Sequence, residues 1–103
     1  MIRHVVMWKL RGDTPDEKLA ARSKVKSAFE GLRGLIPGLL SIEVGGDESA
    51  AVHACDMVMI SEFCDVQALE GYTTHHEHLR VRDELGDLRT SRFQVDYTVE
   101  PDA

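Results

Sequence analysis

The sequence predicts an α+β domain with the element order βαββαβ, in which both helices cover one face of an antiparallel four-stranded sheet. Two observations lead to this prediction. Four segments alternate between apolar and polar residues, and two others repeat apolar residues every three or four positions. The first and third strands are also apolar on both faces, so two helices are too few to cover the sheet.

The first strand is predicted over residues 2–11. Its first face is apolar except for one histidine and comprises Ile2, His4, Val6, Trp8 and Leu10. Its second face carries Val5 and Met7 between cations, so something is expected to pack on each side.

The first helix is predicted to begin at Pro15 and to end near Arg33. Thr14 is its N-cap, and Glu17 completes a capping box with an acid at the positive end of the helix dipole. Gly34 and the Pro37-Gly38 pair that follow are typical of a helix end. The stripe expected to face the core comprises Leu19, Arg22, Val25, Phe29, Leu32 and Ile36.

Two strands are expected next, the second from Leu40 to Val44 and the third from about Val52 to Phe63. The third strand alternates as the first does. Its two predicted faces are Met57, Met59, Ser61 and Phe63, and Val58 and Ile60. Both the first and the third strand are therefore expected to be central in the sheet.

The second helical segment is predicted to start at the cap Asp65, to pass Tyr72 and to continue for another turn or two as far as Leu85. The last strand is predicted over residues 92–100, with Pro101 as its stop. Its two faces are Phe93, Val95, Tyr97 and Val99, and Arg92, Gln94, Asp96 and Thr98.

This order is the ferredoxin-like arrangement, which leaves one sheet face uncovered. On that face a monomer would expose to water either Val5, Met7, Val58 and Ile60 or their neighbours of opposite parity. Two such sheets packed face to face would bury them. We therefore predict a two-fold symmetric homodimer that forms an α+β barrel.

Composition excludes several classes of protein. The chain has 103 residues, expected to form one domain over residues 1–103, and its 12 Lys and Arg against 18 Asp and Glu give a net charge of −6. Without clustered cations, neither nucleic acid nor an anionic membrane is an expected partner. No stretch has the apolar core of a signal peptide or the length of a membrane span, so we expect a cytoplasmic protein.

Motifs for common cofactors are missing from the sequence. It has no phosphate loop, GxGxxG, HExxH, GxSxG or calcium loop, and we expect neither a cofactor nor a metal. Cys55 and Cys64, nine positions apart in the predicted third strand, are too distant to pair. They are expected to be buried or half-buried thiols.

Histidines are the main candidates for chemistry. His4 is either a hydrogen-bonded core residue or a polar group in a cavity between sheet and helices, where it could serve in acid–base chemistry. His75 and His78 share a helix face if the helix is continuous, a spacing that suits two metal ligands but supplies no third. Tyr72 either packs in the helix interface or polarises a carbonyl beside an imidazole.

Several short motifs in the right order resemble the stress-responsive α/β-barrel (Dabb) family, over roughly residues 2–99. The similar segments are Ile2-Arg3-His4-Val5-Val6-Met7-Trp8-Lys9-Leu10, Ile36-Pro37-Gly38-Leu39, Ile60-Ser61-Glu62-Phe63, Tyr72-x-x-His75-His76-Glu77-His78-Leu79 and Val95-Asp96-Tyr97. The resemblance implies a dimeric ferredoxin-like barrel, in small cytoplasmic proteins mostly of undefined biochemical activity.

One member class of this family, the plant olivetolic acid cyclase, performs an aldol condensation on a linear polyketide without a cofactor. The resemblance implies that its tyrosine and histidine catalytic pair falls on Tyr72 and His78, and its first-strand histidine on His4. Two polar cavity residues of that enzyme correspond to Met57 and Phe29. The family's usual His-Pro-x-His segment has His76 in place of proline, so the sequence itself does not impose a helix break before it.

Three functions follow as hypotheses. The first is a stress-associated homodimer that binds an apolar or aromatic small molecule. The second is a cofactor-free lyase or cyclase in which Tyr72 polarises a carbonyl and His78 is the base, and the third is a purely structural dimer with a filled core. The residues expected to contact a ligand are His4, Trp8, Phe29, Met57, Tyr72, His75 and His78.

Overall fold

The structure is a computed structural model that describes residues 1–100. Within that range it contains four strands and three helices. They are β1 (Ile2–Leu10), α1 (Pro15–Glu30), β2 (Leu39–Gly46), β3 (Met57–Phe63), α2 (Val66–Thr74), α3 (His76–Leu85) and β4 (Arg89–Thr98). The predicted βαββαβ order is confirmed, with the second helical segment divided into α2 and α3. Pro101, the predicted strand stop, lies outside the described residues.

All four strands form one antiparallel sheet in the order β2-β3-β1-β4, so β1 and β3 are central as predicted. The register places His4 opposite Ser61 of β3 on one side and opposite Asp96 of β4 on the other. Residues directly opposite each other in a sheet share a face. The side chains of His4, Ser61 and Asp96 therefore lie in one row on the helix-covered face.

Helix α1 begins as predicted but ends three residues earlier, at Glu30. The Thr14 hydroxyl accepts a hydrogen bond from the Glu17 N–H at 3.1 Å, which satisfies one of the free donors of the first turn. The predicted core-facing stripe was wrong at one residue, Leu19, whose side chain is 60% exposed. The buried face runs through Ala21, Val25 and Phe29, and a residue two positions before Ala21 lies about 200° around the helix from it.

Strand β3 starts at Met57 and not near Val52, which is 99% exposed. The segment before it is held as a loop by Asp56, whose carboxylate accepts from the Leu10 N–H at 2.6 Å and from the Lys18 ammonium at 3.1 Å. Cys55 and Cys64 consequently flank the strand. Both thiols are free, and Cys64 is exposed, contrary to the sequence interpretation.

The two faces of the sheet differ in burial. One face packs against the helices around a core that includes Val6, Trp8, Phe29, Met59 and Phe63. The other face bears exposed apolar side chains from three strands, which we call the open face: Met7, Ile60, Phe93, Val95 and Tyr97. The predicted uncovered apolar surface is thus present, and β4 contributes most of it.

Candidate functional site

A cavity of about 560 Å³ lies between the inner face of β4 and the short helices α2 and α3, and it is open to solvent. It exists because the helices pack over β1, β2 and β3 and leave the inner face of the edge strand β4 largely uncovered. Five of the seven residues predicted to contact a ligand line it, namely His4, Trp8, Phe29, Tyr72 and His78.

Met57 and His75 lie outside the lining of this cavity. Met57 is buried at the start of β3, opposite Trp8 and Gly46, and belongs to the core. His75 ends α2 in an extended backbone conformation, and its Nδ1 accepts the Glu77 N–H at 3.1 Å as the N-cap of α3. The helix therefore breaks without the family's proline, since the His75 side chain stabilises the new start.

His4 is 3% exposed, and its Nδ1 lies 2.5 Å from Oδ1 of Asp96. Because a carboxylate accepts, the Nδ1–H donates, and Nε2 is the remaining polar atom of the ring. The second carboxylate oxygen of Asp96 accepts from the Gln94 amide at 2.7 Å, which fixes its orientation. Both interpretations of His4 hold together: it is hydrogen-bonded, and it lines the cavity. Sequence reasoning missed Asp96, whose only signal is its position opposite His4 across paired strands.

The hydroxyl of Tyr72 is buried and has no hydrogen-bond partner among residues 1–100. Burial raises the pKa of Tyr72 well above its ordinary range, so the hydroxyl keeps its proton at neutral pH. A buried hydroxyl without a partner is costly and uncommon in a native protein, and a catalytic or binding role is one explanation for it. Tyr72 thus presents an unused donor beside the cavity.

The His78 ring lies 4.3 Å from the Tyr72 ring, measured between centroids, and the two are tilted by 43°. Its Nδ1 is 3.2 Å from the Thr73 carbonyl oxygen, which only accepts, so Nδ1 carries the proton and Nε2 keeps its lone pair. Burial lowers the pKa of His78, and the nearby guanidinium groups of Arg82, Arg89 and Arg92 lower it further. His78 is therefore a neutral base at pH 7, next to a protonated donor.

An aromatic pair and an arginine form the far wall of the cavity. Trp8 stacks on Phe29 with ring centroids 4.9 Å apart, and the Arg89 guanidinium lies 5.5 Å and 5.3 Å from these two rings. This is cation–π geometry with both rings. The same wall continues to Arg92 on β4 and Arg82 on α3.

No group of three or more His, Cys, Asp or Glu in the described part of the chain could hold a metal ion. The helix is interrupted at His75, and the Nδ1 atoms of His75 and His78 contact different backbone partners, the Glu77 N–H and the Thr73 carbonyl oxygen. His75 stacks on His76, with centroids 4.4 Å apart. In residues 1–100 no helix has the length and apolarity that crossing a bilayer requires.

The fold and the cavity define a small ferredoxin-like α+β domain with an open pocket between its sheet and its helices. The model of the stress responsive A/B barrel domain, Dabb, matches residues 2–99. The chain belongs to this family, as the sequence motifs predicted.

Solved structures agree with this assignment. A dimeric protein of unknown function with a ferredoxin-like fold from Bacteroides fragilis is 33% identical, with a TM-score of 0.82 and 95% of each chain covered. A dimeric ferredoxin-like protein of unknown function from Jannaschia is 21% identical, with a TM-score of 0.75 over 95% of this chain and 98% of that one.

A third similar structure is the hydroxynitrile lyase from Passiflora edulis, which is 14% identical with a TM-score of 0.76 over 99% of this chain and 95% of that one. At such low identity the last two likenesses show the fold alone. Among curated proteins, no sequence matches the chain.

Proposed function

We propose that this protein is a homodimer that binds an apolar or aromatic small molecule in the cavity of each chain. The observation that carries the proposal is the open cavity of about 560 Å³ with the unpartnered Tyr72 hydroxyl at its wall. Small-molecule sites are typically concave, mostly apolar and equipped with a few polar groups that orient the ligand. The purely structural hypothesis requires side chains to fill the space between β4 and the helices, but that space contains the cavity.

Binding can be tested with a neutral aromatic probe, 4-phenylbutanamide, by calorimetry and by the fluorescence of Trp8, the single tryptophan. Saturable binding with a change in Trp8 emission is expected, because Trp8 lines the cavity. Gln94→Phe places a ring in the cavity, because Gln94 lines it opposite the buried Val6, and should abolish binding. Gln67→Phe, at an exposed site on α2, is the matched control. Equal binding by both variants would place the ligand elsewhere and overturn the proposal.

The open face supports the homodimer. Its exposed apolar side chains come from three strands, and a contiguous surface of this kind marks an interaction site. The similar proteins from Bacteroides fragilis and Jannaschia are described as dimeric. In the proposed dimer, two open faces pack against each other around a two-fold axis and close an α+β barrel.

Sedimentation tests this assembly. The protein should sediment with twice the mass of one chain, and Phe93→Glu should shift it to monomer because a charge without a partner is costly in an apolar interface. Leu19→Glu adds the same charge at an exposed site on α1 and should remain dimeric. A monomeric wild-type protein at micromolar concentration would refute the barrel.

Tyr72 and His78 favour a second candidate function, a cofactor-free lyase or cyclase of the olivetolic acid cyclase type. The His78 Nε2 would take a proton from a carbon next to a substrate carbonyl, and the resulting enolate would attack a second carbonyl of the same molecule. The Tyr72 hydroxyl would hydrogen-bond the oxyanion formed in that step, which then recovers the proton from the imidazolium. No cofactor enters this sequence of steps.

Turnover of a linear polyketide-like substrate distinguishes this candidate from binding alone. His78→Ala should abolish turnover and leave the fold intact, because the ring is half-buried and its hydrogen bond is to a single backbone carbonyl. His76→Ala, on the neighbouring exposed ring, is the control and should retain turnover. Unchanged turnover by His78→Ala would exclude this mechanism.

A further inference from the structure

The distribution of cations in this acidic protein is uneven. The chain carries a net charge of −6, yet three arginines, Arg82, Arg89 and Arg92, line one cavity. The only carboxylate in the lining is that of Asp96, which already accepts hydrogen bonds from His4 and Gln94. Apart from its histidines, the lining carries three positive charges and one negative charge, a net charge of +2.

None of these three guanidinium groups forms an ion pair or a side-chain hydrogen bond within residues 1–100. Of the five described arginines outside the cavity, Arg3, Arg11, Arg33 and Arg80 have an acidic partner and Arg22 has none. Arg89 is partly buried, and its Nε–H is fully buried without an acceptor. A buried donor of a charged group usually has a partner, so an acceptor is missing here.

The arginines also affect one another. Burial lowers the pKa of Arg89, and the charges of Arg92 and Arg82 lower it further, so the three groups are close enough to repel. An anion between them would reduce this repulsion and would supply the acceptor that the Arg89 Nε–H lacks. Helix polarity accounts for Arg82, in the last turn of α3, and ring stacking accounts for Arg89, but neither accounts for the convergence of all three on one cavity.

We propose that the ligand of this cavity is an organic carboxylate, with its anionic group held by Arg89 and Arg92, assisted by Arg82, and its apolar body directed toward Tyr72. A planar guanidinium binds a carboxylate through two parallel hydrogen bonds, which favours this anion. The Asp96 carboxylate at the other end of the inner face of β4 disfavours a second negative charge on the ligand, because like charges repel. This inference rests on the proposed binding function and specifies its ligand class.

A matched pair of probes tests the charge requirement. The probe 4-phenylbutanoate differs from 4-phenylbutanamide mainly in its charge, and both are titrated into the intact protein by calorimetry and Trp8 fluorescence. The carboxylate should bind at least about tenfold more tightly, the ratio expected for roughly one charge-assisted hydrogen-bonded pair. Arg89→Gln/Arg92→Gln should reduce this ratio to about one.

The single variant Arg92→Gln is used in case the double variant does not fold, because Arg92 is exposed. It should lower the ratio of carboxylate to amide affinity at least about threefold. Arg80→Gln removes the same charge from α3 outside the cavity and should keep the full ratio. Equal binding of the two probes to the wild-type protein would overturn the carboxylate inference and leave the binding function standing. Binding of neither probe would overturn both, and a preference that survives in the double variant would refute the role of the arginines.

Discussion

Replacing Tyr72 with phenylalanine should stabilise the protein. The substitution removes only the hydroxyl, which is buried and has no hydrogen-bond partner among the described residues. In the unfolded chain the same hydroxyl is hydrated by water. Folding therefore removes its hydration without replacing it, and a phenylalanine ring at this position avoids that cost.

The magnitude follows from the burial of the group. An unsatisfied buried hydroxyl costs about 1–3 kcal/mol, and the lower end applies beside an open cavity. We expect Tyr72→Phe to raise the free energy of unfolding by about 1 kcal/mol. For a domain of this size that corresponds to an increase of about 4–8 °C in the melting temperature. The same variant should bind a carbonyl-bearing ligand less tightly, so stability and function would change in opposite directions.

Urea denaturation followed by Trp8 fluorescence measures the effect, at one fixed protein concentration because a dimer's stability depends on concentration. Tyr97→Phe is the matched control: its hydroxyl accepts a hydrogen bond from Arg3 at 2.7 Å, so removing it should be neutral or destabilising by up to about 1 kcal/mol. A loss of stability in Tyr72→Phe of more than about 0.5 kcal/mol would show that the hydroxyl has a partner in the folded protein and refute the reasoning.

Substitutions at four further positions test the scaffold. Gly38→Ala should cost about 2 kcal/mol or more in chemical denaturation, because its φ is +79° and a Cβ would lie 2.4 Å from that of Ala68. Gly34→Ala, with a φ of +78° and open space around it, should cost about half as much. Burial would raise the pKa of Asp56, but hydrogen bonds from β1 and a lysine outweigh this and hold the pKa below its ordinary value, so stability falls as the carboxylate is protonated. Asp56→Asn should therefore lose less stability than the wild type as the pH falls from about 5 to about 2, and an equal loss would assign the acid sensitivity to other groups. His75→Ala should cost about 1 kcal/mol because the N-cap of α3 is lost, and His75→Asn should recover most of this stability. Equal melting temperatures for the wild type and both variants would show that His75 does not act as a cap.

Local patterns were sufficient to predict the fold. Alternation along β1 and β3 identified both the helix-covered face and the open face, because a period of two assigns each residue to a side without knowledge of its neighbours. The errors lie where a side chain overrides the pattern. Asp56 holds the segment before β3 as a loop. Leu19 has the spacing of an apolar helix stripe, but its side chain lies outside the buried face of α1.

The cavity was only partly predictable. Aromatic and histidine residues such as Tyr72 and His78 stand out in the sequence, and five of the seven predicted contacts line the cavity. Asp96 lies 92 positions from His4, and only the register of β1 against β4 brings the two together. Arg82, Arg89 and Arg92 read as ordinary surface cations, since no local pattern shows that an edge strand and a helix end face the same space.

Strand β4 divides its residues between two surfaces that serve different purposes. Phe93 and Val95 belong to the open face, and Arg92, Gln94 and Asp96 face the cavity or its wall. A single-residue insertion or deletion within this segment would exchange the two sets beyond that point, placing charges in the proposed dimer interface and apolar side chains over the cavity. Length changes are tolerated better at Thr90, which is the unpaired residue of a bulge against β1, and a deletion of Gln94 should abolish assembly and ligand binding at once.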